Sequence, residues 1–272
     1  MIGQSFLKNQ FSTLMSSNNF PHFSILCGPK GSGKKTLCME LQSMSAFAGI
    51  DVFYELPDVK VDTLRTMIED AYTTKDSMFI IIPDADTMSV NAKNSILKVV
   101  EEPPKNVYII MLLQDLSNTL ETIKSRARTF YMDKYELHEL KSYSESLGSS
   151  SDIPTAVCEN PYEIKTLIDY DVEQFYDYVQ LVVDNIAEVE PANAFKSSCK
   201  LALKTDEGYD LNLFFKTFIY ICYLRMEDEF KKYGDAIAIT SKYLQKLKKV
   251  GVSKTQMYDM WVLEIRGAWL WT

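Results

Sequence analysis

Gly28, Gly33 and Lys34 stand at the spacing G-x-x-x-x-G-K within the stretch GPKGSGKKT. Small residues here, Gly31 among them, let successive backbone N–H groups converge on phosphate oxygens. The helix N-terminus that follows adds positive potential, and the lysine neutralises the outer phosphates. The chemistry indicated is the holding of a phosphate chain; the alternative is a glycine-rich turn with no ligand. The spacing fails at its last position. A Ser or Thr hydroxyl would ligate Mg²⁺ there, but this chain has Lys35. Thr36 comes one residue late, roughly 100° further round the helix. The next buried strand reads FIIIPDAD, whereas a working NTPase ends such a strand on Asp followed by Glu. The first holds the metal shell and the second polarises the attacking water.

The elements that must position these residues follow from apolar spacing. Helical spacing over 5–16 precedes a compact apolar run at 23–27, the glycine-rich loop and a further helix, giving strand, loop, helix. Strands are predicted at 52–56, 78–82 and 107–113. Helices are predicted at 61–72, with Asp62 as a possible cap, and at 90–101, before Pro103-Pro104. Strands alternating with helices imply a parallel sheet covered on both faces. After Phe130 the character changes: GSSSD at 148–152 reads as a loop, and helices are predicted at 172–187, 192–203, 211–226, 236–250 and 254–270.

Composition narrows the classes. The chain has 272 residues, 46% of them apolar and 24% charged, with 10 Gly and 9 Pro, which suits an ordered globular protein of one to three domains. Its longest apolar runs fall far short of the ~20 residues a membrane span needs. The opening MIGQSFLKNQFS lacks a basic stretch followed by an apolar one, so no export is expected and the expected compartment is the cytoplasm. Five cysteines, Cys27, Cys38, Cys158, Cys199 and Cys222, form no C-x-x-C pair, and buried free thiols are expected. Two histidines, His22 and His138, leave little material for a metal site or a Ser-His-Asp mechanism. A net charge of −8 gives no long-range attraction to nucleic acid.

Three stretches taken together resemble a known family. IGQSFLKNQ…FPHFSILCGPKGSGKKT, IIIPDADTMSVNAKNSILKVVEEPP and TIKSRARTFYM are similar, in that order, to the AAA+ subunits of DNA polymerase clamp loaders, nearest to the bacterial delta-prime subunit. The resemblance is close over residues 1–132 and only in outline beyond. It implies an α/β fold, an AAA+ P-loop parallel-sheet module over 1–132, a small helical lid over 133–170 and an all-α collar, the oligomerisation domain, over 171–272. It sets Pro83 at the metal-binding Asp and Asp84 at the catalytic Glu; a shifted register makes Asp84 the metal ligand and leaves Ala85 at the catalytic place. In the lid, NPYEIKTL offers Tyr162, Glu163 and Lys165 where the family carries an arginine. Gly28, Gly31, Gly33, Lys34, Lys35, Thr36 and Asp84 would then form a degenerate phosphate and metal site. ATP binding is expected to be weak or absent, with little intrinsic ATPase activity.

Arg126, in Ser125-Arg126-Ala127, matches the family's arginine finger, which acts in trans on a neighbour's ATP; outside that context it reads as an ordinary solvated arginine. The family's zinc module has no counterpart here, so no zinc is expected. The helix after the acidic strand, with Lys93, Asn94 and Lys98, would face duplex DNA, a solvated helix being the alternative. Phe214, Phe215, Phe218, Tyr220, Tyr223, Trp261, Trp269 and Trp271 would fill a helical core, the remainder serving an interface. The expected partners are other clamp-loader ATPase subunits, a sliding clamp and primer-template DNA, with no membrane. The expected role is a loader subunit that assists a neighbour's ATPase. The alternatives are an ATP-hydrolysing subunit of the same machine and a non-catalytic AAA+ scaffold or adaptor.

Overall fold

A computed structural model of the chain describes residues 2–186, 209–247 and 253–270. Its contacts divide between Glu139 and Leu140 into two compact units. In the first, five parallel strands, β1 (Phe23–Cys27), β2 (Val52–Glu55), β3 (Met78–Ile82), β4 (Val107–Leu113) and β5 (Arg128–Tyr131), lie in the order β2-β3-β4-β1-β5. Alternate strand residues face opposite sides, as the two-residue pleat requires. Ile25, Ile80, Ile82, Ile109 and Met111 pack under α3 (Val61–Thr73) and the helices after β3. Leu26, Phe79, Ile81, Ile110 and Leu112 pack under α1 (Ser5–Ser16) and α2 (Lys34–Leu41). Both faces are therefore covered, and the central strands read as near-continuous apolar runs.

Three local details differ from the sequence reading. The helix at 90–101 is two, α4 (Val90–Ser95) and α5 (Leu97–Glu101). Ser95 Oγ donates to Ala92 O at 2.7 Å, a back-bond of the kind that bends helices. Asp62 is not the cap of α3: Lys60 is. Asp58 Oδ1 accepts from the Lys60 amide at 3.0 Å and from Thr63 Oγ1 at 2.6 Å, while Asp62 sits in the first turn, where its charge suits the positive helix end. Strand β5, which follows the short helix α6 (Glu121–Lys124), went unread because Phe130 is its only buried residue, too little for a period to show.

The second unit is helical. Helix α7 (Leu137–Ser146) carries the division, and Gly148 turns the chain toward α8 (Ile153–Val157), α9 (Pro161–Asp169) and α10 (Val172–Asn185). After the undescribed segment come α11 (Leu211–Leu224), α12 (Phe230–Leu247) and α13 (Lys254–Leu270). Phe214, Phe215, Phe218 and Trp261 are at most 1% exposed, so these aromatics are core. The Trp261 indole N–H donates to Thr240 Oγ1 at 2.9 Å, which satisfies its one polar atom. Tyr223 points outward and Tyr220 is half-buried. The predicted helix at 192–203, Cys199 and Trp271 lie outside the described residues. Among the described cysteines, Cys27, Cys38, Cys158 and Cys222 are free and buried.

Candidate functional site

The loop after β1 leaves the C-terminal edge of the sheet, held there by the Gly28 amide donating to Leu113 O at 3.1 Å. Gly28 has no room for a side chain: a Cβ would lie 2.7 Å from Met132 Cβ and Cγ. Gly31 and Gly33 take φ of 81° and 83°, the left-handed region that turns successive amides toward one point. The first helical bond of α2 runs from the Leu37 amide to Gly33 O. The amides of Gly33, Lys34, Lys35 and Thr36 are thus left for an acceptor outside the helix.

The lysines of the loop are engaged locally. Lys34 Nζ donates to Gly28 O at 2.7 Å and to Pro29 O at 2.9 Å. Burial pulls its pKa below the ordinary 10.5, against the opposing fields of Asp86, Cys27 and Asp84. Lys35 Nζ lies 2.7 Å from Glu55 Oε1, at the end of β2, with its side chain 61% exposed. Thr36 is exposed.

At the end of β3 the carboxylate that makes contacts is one the sequence reading passed over. Asp84 is exposed at φ 44°, and its carbonyl accepts from the Thr87 amide and hydroxyl. Asp86 instead reaches the loop after β4: Oδ2 accepts from the Gln114 amide at 2.6 Å, and Oδ1 from the Asp115 amide at 3.2 Å and Asn118 Nδ2 at 3.3 Å. The signal was present in the second Asp of PDAD, but nothing local says which carboxylate meets a distant loop. Pro83 cannot ligate a metal, Asp86 is occupied by these donors, and Lys35 presents an ammonium. Of the two donors that hold Mg²⁺ in a working phosphate loop, the hydroxyl and the strand-end carboxylate, neither stands in its place, and the exposed Asp84 is the carboxylate that remains beside them.

Above the loop, Tyr135 Oη donates to Ser32 O at 3.0 Å. The segment bearing it is tied to the N-terminus: Gln4 Nε2 donates to Asp133 O at 2.8 Å, and the Asp133 amide returns to Gln4 Oε1 at 2.9 Å.

Arg126 lies at the other end of the sheet. It precedes β5, whose Arg128 pairs with Ser24 at the start of β1, while the loop follows Cys27 at the far end of β1. Five strand residues at ~3.3 Å each put roughly 15 Å between these edges. The guanidinium is exposed, with Nη2 2.9 Å from Glu101 Oε1 and Nη1 donating to Thr122 O at 2.9 Å. A shallow groove around it is lined by Pro21, His22, Glu101, Pro103 and Arg128.

The two lysines expected to face DNA separate. Lys93 does not face solvent: it is 9% exposed, and its ammonium donates to Asn118 O. Helix α4 turns Ala92 and Lys93 inward together. Lys98 stays exposed, 5.9 Å from the Tyr72 ring centroid. In the second unit, Glu163 is 8% exposed and pairs with Lys216 Nζ at 2.9 Å, so it is spent inside that unit's core. Tyr162 and Lys165 are exposed.

A family model described as DNA polymerase III, delta subunit, matches residues 55–136. The chain is 27% identical over 159 residues to replication factor C subunit 4 of Encephalitozoon cuniculi, covering 54% of this chain and 51% of that protein. It is 27% identical over 134 residues to DNA polymerase III subunit delta' of Pseudomonas aeruginosa, covering 39% of this chain and 41% of that one. The chain thus spans about half or less of the length of these curated relatives. In fold it is similar to a DNA polymerase III gamma subunit-related protein from Thermotoga maritima, with a TM-score of 0.57 and 15% identity over 96% of this chain and 99% of that one. Among the described residues no helix is long and apolar enough to cross a membrane.

Proposed function

We propose that this chain, an AAA+ α/β module with a helical second part that resembles clamp-loader subunits of the delta-prime kind, works in DNA replication as a clamp-loader subunit that assists a neighbour's ATPase rather than running its own. The observation that carries the reading is the opposition of the two ends of the sheet. The loop end lacks the groups that organise a metal, and the other end presents Arg126, roughly 15 Å away, where its own loop cannot use it. A guanidinium is the group that stabilises charge developing on a transferring phosphoryl, and it can be supplied across an interface.

In this reading residues 1–132 are the AAA+ module, 133–170 the lid and 171–272 the collar. The partners are ATP-hydrolysing loader subunits, a sliding clamp and primer-template DNA, and the compartment is the cytoplasm. Lys98 and Asn94 are among the outward residues of the α4–α5 segment and are available to a phosphate backbone; Lys93 is not. Glu101 holds Arg126 until a neighbour's phosphates compete for it.

The test is reconstitution with the ATPase subunits that copurify with the chain. Arg126→Ala should lower clamp- and DNA-stimulated ATP turnover by roughly 10³ to 10⁵ while assembly persists. Unchanged turnover removes the proposed role. Brisk Mg²⁺-dependent hydrolysis by the isolated chain would make it an ATPase subunit instead, and a stable lone monomer that captures no loader subunit would make it a scaffold or adaptor.

A further inference from the structure

We propose that the loop from Gly28 to Thr36 binds a di- or triphosphate chain without a divalent cation, the Lys35 ammonium leaving Glu55 to supply the charge that a metal supplies in an ordinary phosphate loop. The role proposed above needs no bound nucleotide, so the two stand or fall separately.

The loop is built, not collapsed. Gly31 and Gly33 hold the left-handed conformations that aim amides at an anion, and the amides of residues 33–36 have no helical acceptor. Ser32 is 2% exposed, and its hydroxyl has no hydrogen-bond partner among the described residues. A buried hydroxyl without a partner costs free energy unless something else satisfies it.

The metal's two protein donors are replaced as a pair. Lys35 stands where the hydroxyl would ligate, and Pro83 at the end of the strand where the carboxylate would. Lys35 thus brings a positive charge to the place where the metal's hydroxyl ligand would stand. A divalent ion entering beside Lys35 is repelled, while a phosphate chain is attracted. Lys35 can make the move: its side chain is 61% exposed and that of Glu55 22%, so water reaches both ends of the pair it must leave. Lys34, on the carbonyls of Gly28 and Pro29, needs only a rotation to meet the same chain.

The experiment is calorimetric titration of the whole chain with ATP, ADP and inorganic pyrophosphate, each in EDTA and in excess Mg²⁺. Binding in EDTA within about threefold of that in Mg²⁺ is expected. Pyrophosphate binding as well as ADP identifies the chain itself as the ligand; nucleotide binding alone adds a contribution from the base, and both agree with the proposal. Lys35→Thr should weaken binding in EDTA about tenfold and make it respond to Mg²⁺, while Glu55→Gln, which releases Lys35, should tighten it severalfold. Circular dichroism checks that each variant is folded. Binding that vanishes in EDTA, no binding under either condition, or a Lys35→Thr variant that binds like the parent overturns the proposal.

Discussion

Arg126 Nη2 sits 2.9 Å from Glu101 Oε1, so a residue two past the end of α6 and the last residue of α5 share one ion pair at the N-terminal edge of the sheet. Both side chains are more than a third exposed. Such pairs contribute little to stability, with a median of about 0–1 kcal/mol.

Arg126→Ala should therefore leave the unfolding free energy within about 1 kcal/mol of the parent. Urea denaturation checks this. A larger loss would mean that any effect of the substitution on a partner's ATPase reflects damaged folding.

Asp86 is the residue through which β3 holds the loop after β4. Asp86→Ala removes a charged acceptor from the amides of Gln114 and Asp115 and should cost about 1–2 kcal/mol. Asp84→Asn, which removes an exposed charge and keeps a side chain that tolerates the positive φ, should cost little. Parallel urea titrations distinguish the two aspartates, and equal losses would contradict the assignment.

Gly28 and Met132 meet where β1 and β5 end. Gly28→Ala forces a Cβ to within 2.7 Å of two Met132 atoms. The overpacking should cost about 1–3 kcal/mol. Gly49→Ala, at a site with nothing within 4 Å, is the control. Thermal unfolding of both should show the loss at position 28 alone.

Asp58 gives a pH signature. Hydrogen bonds from the Thr63 hydroxyl and the Lys60 amide, with the Lys60 ammonium at 3.1 Å, lower its pKa from 3.8 to about 2. Because the folded pKa is depressed, its stabilising contribution is present above pH 3.8 and fades as the pH falls toward 2. Thr63→Ala should raise the Asp58 pKa toward 3.8, read by NMR titration of its carboxyl carbon. An unmoved titration would show that Thr63 does not hold the carboxylate.

Local order along the chain determined the loop at 28–36, four of the five strands and the helices that flank them. Each rests on spacing within a dozen residues: two-residue alternation for a pleat, helical spacing for a buried stripe, glycines where the backbone must turn. The same local view identified Lys35 and Pro83 as departures, since identity alone shows that neither can ligate a metal. Tertiary structure decided how the functional groups are spent. Asp86 and Gln114 are 28 residues apart, and Gln4 and Asp133 are 129 apart. No spacing rule reaches those distances. Lys93 looked outward because it is a lysine, but the turn of α4 buries its stem and leaves Asn118 O to take its charge. Arg126 and its loop occupy opposite ends of one sheet because parallel strands run in the same direction, so groups before and after them are separated by the strand's length.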